Sequence, residues 1–277
     1  MKNYVFLQVL SKIFRMDIKE LNINAEKGSS KNHPWEYARA KIVCKILKNR
    51  SFINQECNPI LDIGCGDIFF LNYFCSTIEH PYPVAVARAF ESEIICAFKE
   101  KYQNLGCTFY QSVDEVGLGE KKANIVFLMD VIEHIEDDVA FLSALKQKKF
   151  VGTDTLFMIT VPAFQSLYSS HDKWLGHYRR YSSKLLIERV TQAGMKVVDD
   201  GYFFFSLLIP RFLQKKIELL RKEKERPVTG IGGWNGGKTI SWLYEKILLC
   251  DFLVTSILRK VGIKLPGLST FVICKQQ

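Results

Sequence analysis

Residues 59–74 read PILDIGCGDIFFLNYF, and this stretch decides the fold. A short apolar run, Ile60 to Ile63, carries one acid, Asp62, and ends in a tight turn with two glycines, Gly64 and Gly66. Asp67 follows as an N-cap candidate, and an apolar run of helical length starts at Ile68. Strand, glycine turn and helix in that order open the ligand site of many α/β sheets. Glycine lets backbone approach a ligand, and ligands settle beyond the carboxyl ends of the strands. An acid inside the strand favours a ligand over a purely structural turn.

Outward from this stretch the periodicity alternates. Upstream, Tyr37, Ala40, Cys44 and Leu47 recur at helical spacing within 35–47. Downstream, strands are expected at Pro83–Val86, Cys107–Gln111, Asn124–Met129 and Thr155–Val161. Helices are expected at Glu91–Tyr102 and Asp137–Lys148 between them. After Pro162 a polar, aromatic loop runs to Tyr181. A helix over Ser183–Ala193 stops at Gly194, and strands follow at Lys196–Phe205 and Leu268–Cys274. Alternating strands and helices predict a doubly wound α/β fold around a mostly parallel sheet of about seven strands. Residues 1–34 read as an N-terminal extension, 35–205 as the core, 206–266 as a helical insertion and 267–277 as the last strand of the core.

The 277 residues suffice for one domain with a sizeable core. A mean hydropathy of +0.01 and 48% hydrophobic residues describe a globular chain. Eight cysteines are scattered with no C-x-x-C pair, which argues for a reducing, cytoplasmic setting and against a disulfide scaffold or zinc ribbon. Tyr4 to Leu10 is too short an apolar run for a signal peptide and reads as an amphipathic helix. Charges interrupt the two longest apolar stretches at Arg211 and Asp251, so no membrane span is expected.

A dinucleotide-binding turn would require a third glycine at the position of Phe69 and an acid about twenty residues on, where Val86-Ala87-Arg88 stands. Both are missing. The better match is to the class I S-adenosylmethionine-dependent methyltransferases. Leu61-Asp62-Ile63-Gly64-Cys65-Gly66-Asp67-Ile68 resembles their first motif, with Ile68 in place of its last glycine, a β-branched side chain expected to crowd the cofactor's side of the turn. Leu128-Met129-Asp130-Val131-Ile132-Glu133-His134-Ile135 resembles their fourth-strand motif. The segment from Val161-Pro162-Ala163 through His177-Tyr178-Arg179-Arg180-Tyr181 is similar to that of ubiquinone-methylase-like members. This resemblance implies an antiparallel last strand and S-adenosylmethionine as cofactor. It implies cofactor contacts at Asp62, Gly64, Gly66, Asp114 and Asp130. Ala87 stands where the family holds the ribose with an acid, and Glu91 and Glu93 are nearby substitutes.

The stretch His171–Tyr181 follows the fifth strand, where a substrate should lie. His171, Asp172 and His177 are the candidate catalytic residues. Arg179, Arg180 and Tyr181, with His134 at the end of the fourth strand, are candidates for holding the acceptor. A metal set drawn from His134, His171, Asp172 and His177 matches no ligand spacing, so none is expected.

Gly232 to Thr239 formally matches a phosphate loop, but the charged, proline-broken run before it is no buried strand, and the segment reads as a hinge. The net charge of +9 gathers partly between Arg211 and Arg226, beside the apolar run Tyr202–Leu213. That combination suits a lid over the site. It also suits peripheral contact with an anionic inner membrane face through 202–226 and 240–258. Nucleic acid is not expected, since aromatic residues do not interleave the cations. The function expected is methyl transfer to a small, amphiphilic or lipid- or sugar-precursor acceptor. A non-catalytic binding module on the same frame is the alternative.

Overall fold

The computed structural model describes residues 33–49, 58–79, 82–88, 90–220 and 236–277. The expected helix near Tyr4, the charged run beyond residue 220 and the first half of the phosphate-loop-like segment lie outside these.

Helix α1, Pro34–Asn49, opens with a proline whose missing N–H is not needed in a first turn. The Glu36 carboxylate accepts from His33 N at 2.9 Å. Strand β1, Ile60–Ile63, leads through the glycine turn into α2, Phe69–Ile78. Then follow β2, Pro83–Val86, α3, Ser92–Lys101, and β3, Thr108–Tyr110. Strand β4, Ile125–Met129, α4, Asp138–Leu145, and β5, Leu156–Pro162, complete the centre. Helices α5, Ser170–Leu175, and α6, Ser183–Gln192, precede β6, Met195–Phe203. Helices α7, Leu208–Leu220, and α8, Lys238–Lys260, lead to β7, Ser269–Gln276.

The seven strands pair in the order β3-β2-β1-β4-β5-β7-β6. β7 runs antiparallel between β5 and β6, as the family resemblance implied, and the pairs from β3 across to β5 are parallel. The strand order reverses between β1 and β4, which opens a crevice at their carboxyl ends. Both faces are covered, so β1, β2 and β4 are buried throughout. Alternation divides them between two cores. Ile60, Phe127 and Met158 meet α1, α2 and α8, where Phe70 and Phe74 pack edge-on against Phe127 at 4.9 and 4.8 Å. Leu61, Leu128 and Ile159 meet Leu142, Leu186 and Val190 on α4 and α6.

Two local features differ from the sequence expectation. Part of the stretch after β5 is helical rather than looped. Ser169 and Asp172 form a capping box, and Gly176 ends the turn at φ 74°, so a Ser-x-x-Asp start and a glycine stop were both present. Ile68 was expected to crowd the ligand side of the glycine turn. Its side chain is instead fully buried in the α1–α2 core, at φ 55°. A β-branched residue in the left-handed region is strained by about 1–2 kcal/mol, which the buried side chain offsets.

Gly64 sits at φ +76°, and a Cβ there would lie 2.8 Å from Val131 Cγ2. Gly64→Ala is therefore expected to lower stability by about 1–3 kcal/mol, read as a shift in denaturant midpoint with unchanged slope.

Candidate active site

At the carboxyl ends of β1 and β4 the backbone leaves room. Gly66 has φ +54°, and a Cβ added there would meet nothing within 4 Å. Asp62, on the strand below, is fully buried with Oδ1 unpartnered. Burial pushes its carboxyl up to about 7, against the pull of the Arg39 guanidinium. Asp130, just past β4, takes φ 58° and pairs with Arg39 through Oδ2. Its Oδ1 accepts from Thr160 Oγ at 3.2 Å. Arg39 in turn lies over the Trp35 ring at 4.4 Å, so α1 delivers one cation to the mouth of the crevice. Asp114 stands in a 3-10 turn after β3, paired with Lys148 and partly exposed. Glu91 and Glu93 are exposed at the start of α3, beyond Ala87.

Beside this, the turn after β4 carries Glu133 and His134. Glu133 is fully buried with neither carboxylate oxygen partnered. Burial, reinforced by the Asp130 charge, drives it well above the usual carboxylate range. His134 is pushed down to about 3 by burial and the neighbouring His177, so its ring is neutral. Its pairing with the Leu175 backbone engages the nitrogen other than Nδ1, which has no partner, so Nδ1 holds the lone pair. His177 meets His134 edge-on with centroids 4.6 Å apart.

What orients His177 is Asp172. Its Oδ1 lies 3.0 Å from His177 Nδ1 and accepts from Arg180 Nε at 2.8 Å. Its Oδ2 accepts from Ser169 N at 2.9 Å and Ser169 Oγ at 3.1 Å. Arg211 of α7 completes the cluster, donating to Ser169 Oγ at 2.7 Å. Burial alone would raise the Asp172 carboxyl. The His177 hydrogen bond and the Arg180 charge outweigh it and hold the group below the usual carboxylate range. An ionised acceptor on Nδ1 leaves the lone pair of a neutral His177 on Nε2. One ligand atom from each of Glu133, His134 and His177 lies within 4.8 Å of the others. The combination of His134, His171, Asp172 and His177, from which no metal site was expected, is not the set that converges. Glu133 enters, Asp172 moves behind His177, and His171 faces elsewhere beside Trp174, pushed down to about 4 by burial and Arg211.

Three of the four residues expected to hold the acceptor, Arg179, Arg180 and Tyr181, are chiefly fasteners. Arg179 donates to the Ile135 and Glu136 carbonyls and to Asp138. Arg180 is buried between Asp172 and the Ala163 carbonyl. Tyr181 is fully buried and donates to Asp138 Oδ2 at 2.7 Å. Together they clamp the 169–181 segment onto the end of β4. Arg39 and the place of Glu133 beside His134 and His177 were not foreseen. Glu133 lay inside the fourth-strand motif, whereas Arg39 meets Asp130 only through the fold.

No protein-family model matches the chain, and no curated protein does. Solved structures do. A putative sarcosine dimethylglycine methyltransferase from Galdieria sulphuraria superimposes with a TM-score of 0.54 at 11% identity, covering 95% of this chain and 98% of that one. The plantazolicin methyltransferase BamL, solved with a triazolic desmethylPZN analog and SAH, gives 0.52 at 14%, covering 100% and 99%. The chain has the fold of the class I S-adenosylmethionine-dependent methyltransferases.

Tyr181→Phe tests the fastening role. It strips one donor from the buried Asp138, and the expected cost is about 1–3 kcal/mol in chemical denaturation. Ligand affinity measured by calorimetry should be unchanged; a lost affinity with full stability would instead make Tyr181 a substrate residue.

Proposed function

We propose that the protein is an S-adenosylmethionine-dependent methyltransferase acting on a small, amphiphilic acceptor. The observation that carries this reading is Asp62: a buried carboxyl with an unpartnered oxygen, next to open space above Gly66, on a methyltransferase fold. An isolated buried carboxylate is costly unless a cation meets it. The cofactor's ammonium group is such a cation, and the cofactor's carboxylate is of the sign that Arg39 attracts. Asp114 is the candidate for the adenine amino group. These residues fit the cofactor without Ile68 intruding, because its side chain points into the core.

The bound cofactor supplies an electrophilic methyl on a sulfonium, which needs no activation. What the chain adds is alignment of the acceptor and a place for its proton. His177 Nε2 is the base best prepared for a hydroxyl or amine, because Asp172 holds Nδ1 as a donor and stabilises the imidazolium. Arg211 of α7 holds the same segment by donating to Ser169 Oγ at 2.7 Å. The amphiphilic character of the acceptor is supported by the apolar residues of α7, which begins next to this segment and is tied to it by Arg211 and Lys215.

One observation favours a second reading of the acceptor side. Two histidine ring nitrogens and the Glu133 carboxyl converge within 4.8 Å of one another, and Asp172 stands behind His177 as an outer partner of a metal-binding imidazole would. On this reading Glu133, His134 and His177 hold a divalent cation that orients the acceptor oxygen. Titrating zinc or manganese into the apoprotein distinguishes the two: heat that Glu133→Gln abolishes supports the cation, and absence of heat leaves His177 as the base.

Calorimetry with S-adenosylmethionine and its demethylated product tests the main reading; saturable heat is expected, and none at millimolar ligand would leave a non-catalytic module. Asp62→Asn separates binding from folding. Because the folded Asp62 keeps its proton up to about 7 while the unfolded group loses it near its ordinary pKa, the apoprotein loses stability as pH rises through that window. The asparagine variant lacks this loss. It should melt higher than wild type at pH 8, show no gain near pH 4, and bind the cofactor about tenfold or more weakly.

A further inference from the structure

Helix α8 is held to the protein by one side only. Leu248, Phe252 and Thr255 are buried. Glu245 pairs with Lys41 of α1, Asp251 Oδ2 accepts from Ser206 N and Oγ at 3.0 Å, and Arg259 pairs with Asp199 of β6. These contacts fix the rotation of the helix about its axis and leave the opposite side outward.

That outward side is apolar along its whole length. Ile240, Leu243, Ile247, Val254, Ile257 and, just past the helix, Val261 repeat at spacings of three and four or their sums. All are exposed, Ile257 at 62% and Val261 at 69%. A stripe of this spacing over 23 residues is about 34 Å long, well beyond the scattered apolar residues an ordinary surface carries. Trp242 lies beside it, also exposed.

Charge on the helix is sorted with the same sharpness. Both acids, Glu245 and Asp251, are on the inner side and paired. The exposed charged residues of α8 are Lys238, Lys246 and Lys260. Lys246 Nζ stands 5.8 Å from the Trp242 ring centre, a cation reaching past an aromatic as at a lipid headgroup boundary. The neighbouring α7 repeats the arrangement: Ile209, Phe212 and Ile217 are exposed, with Lys216 4.8 Å from the Phe212 ring. Among the described residues no helix is long and apolar enough to cross a membrane.

We propose that the outer face of α8 docks on an anionic lipid bilayer, lying in the plane of the headgroups with its apolar stripe in the acyl boundary and its lysines on acidic lipids. An anionic bilayer meets the apolar stripe and the lysines at once, whereas a second copy of the same face would match the stripe but set lysine against lysine. This docking stands apart from the methyl-transfer reading, and its test does not use the cofactor.

The test is co-sedimentation of the full chain with vesicles of phosphatidylcholine alone and of phosphatidylcholine with phosphatidylglycerol in equal parts. Binding is expected to the anionic vesicles only, and to be reversed by high salt. Ile247→Asp/Ile257→Asp should remove it while circular dichroism stays native. Should that variant fail to fold, Lys246→Glu/Lys260→Glu keeps the apolar stripe and should weaken partitioning about tenfold or more. Wild type remaining in the supernatant at low salt overturns the proposal, as does equal partitioning of the lysine variant. A wild-type dimer that Ile247→Asp/Ile257→Asp turns into a monomer also overturns it, since a second copy then covers the face.

Discussion

The candidate site depends on the burial of the Asp172 carboxylate. A charge with no exposure to water must be met by donors on every side, and Asp172 is met by Ser169, His177, Arg180 and, at 3.8 Å, Arg211. Those donors come from the segment after β5 and from α7. Satisfying one carboxylate therefore folds the segment back, ends α5 in register, fixes the tautomer of His177 and anchors the first turn of the insertion. A second buried acid, Asp138, repeats the device one layer further in through Arg179 and Tyr181. The two acids press the 169–181 segment onto the end of β4, and His177 meets Glu133 and His134 as a consequence.

The crevice at the ends of β1 and β4 obeys the opposite logic. There the polar groups are left short of partners. Asp62 and Glu133 are buried acids with free oxygens, and burial raises both. Gly66 stands open, while Gly64 is packed hard against Val131 and Ile68 accepts a left-handed backbone to bury its side chain. A turn held in a strained shape with unsatisfied acids beneath it is costly as pure structure. It becomes favourable once a ligand with a positive group fills the space, and this is the physical content of the functional proposal.

Much of this was legible in the chain. The run from Ile60 to Phe74 specified strand, turn and helix because period and glycine placement are local properties, and the motif from Leu128 to Ile135 located β4 for the same reason. The order of elements then implied the switch between β1 and β4. What escaped were facts made by pairing over distance. Arg39 meets Asp130 across 91 residues, and nothing near Arg39 announces it. His171, Asp172 and His177 looked equivalent as neighbours, yet a helical turn separates them, placing Asp172 inside, His177 toward Glu133 and His171 beside Trp174. Arg179 and Arg180 read as anion holders from their charge alone; only the buried acids facing them reveal what they neutralise. Ile68 looked like an obstruction because the side-chain direction of a residue with positive φ is not visible in its type.

Whether S-adenosylmethionine sits in the space above Gly66 decides the functional proposal. A crystal structure of the protein with the demethylated cofactor product tests this most directly. The ligand is predicted to lie across the ends of β1 and β4, with its amino group on Asp62, its carboxylate near Arg39 and its adenine toward Asp114. A ligand bound away from Gly66, or crystals grown at saturating ligand that keep the Arg39–Asp130 pair over an empty crevice, would contradict it.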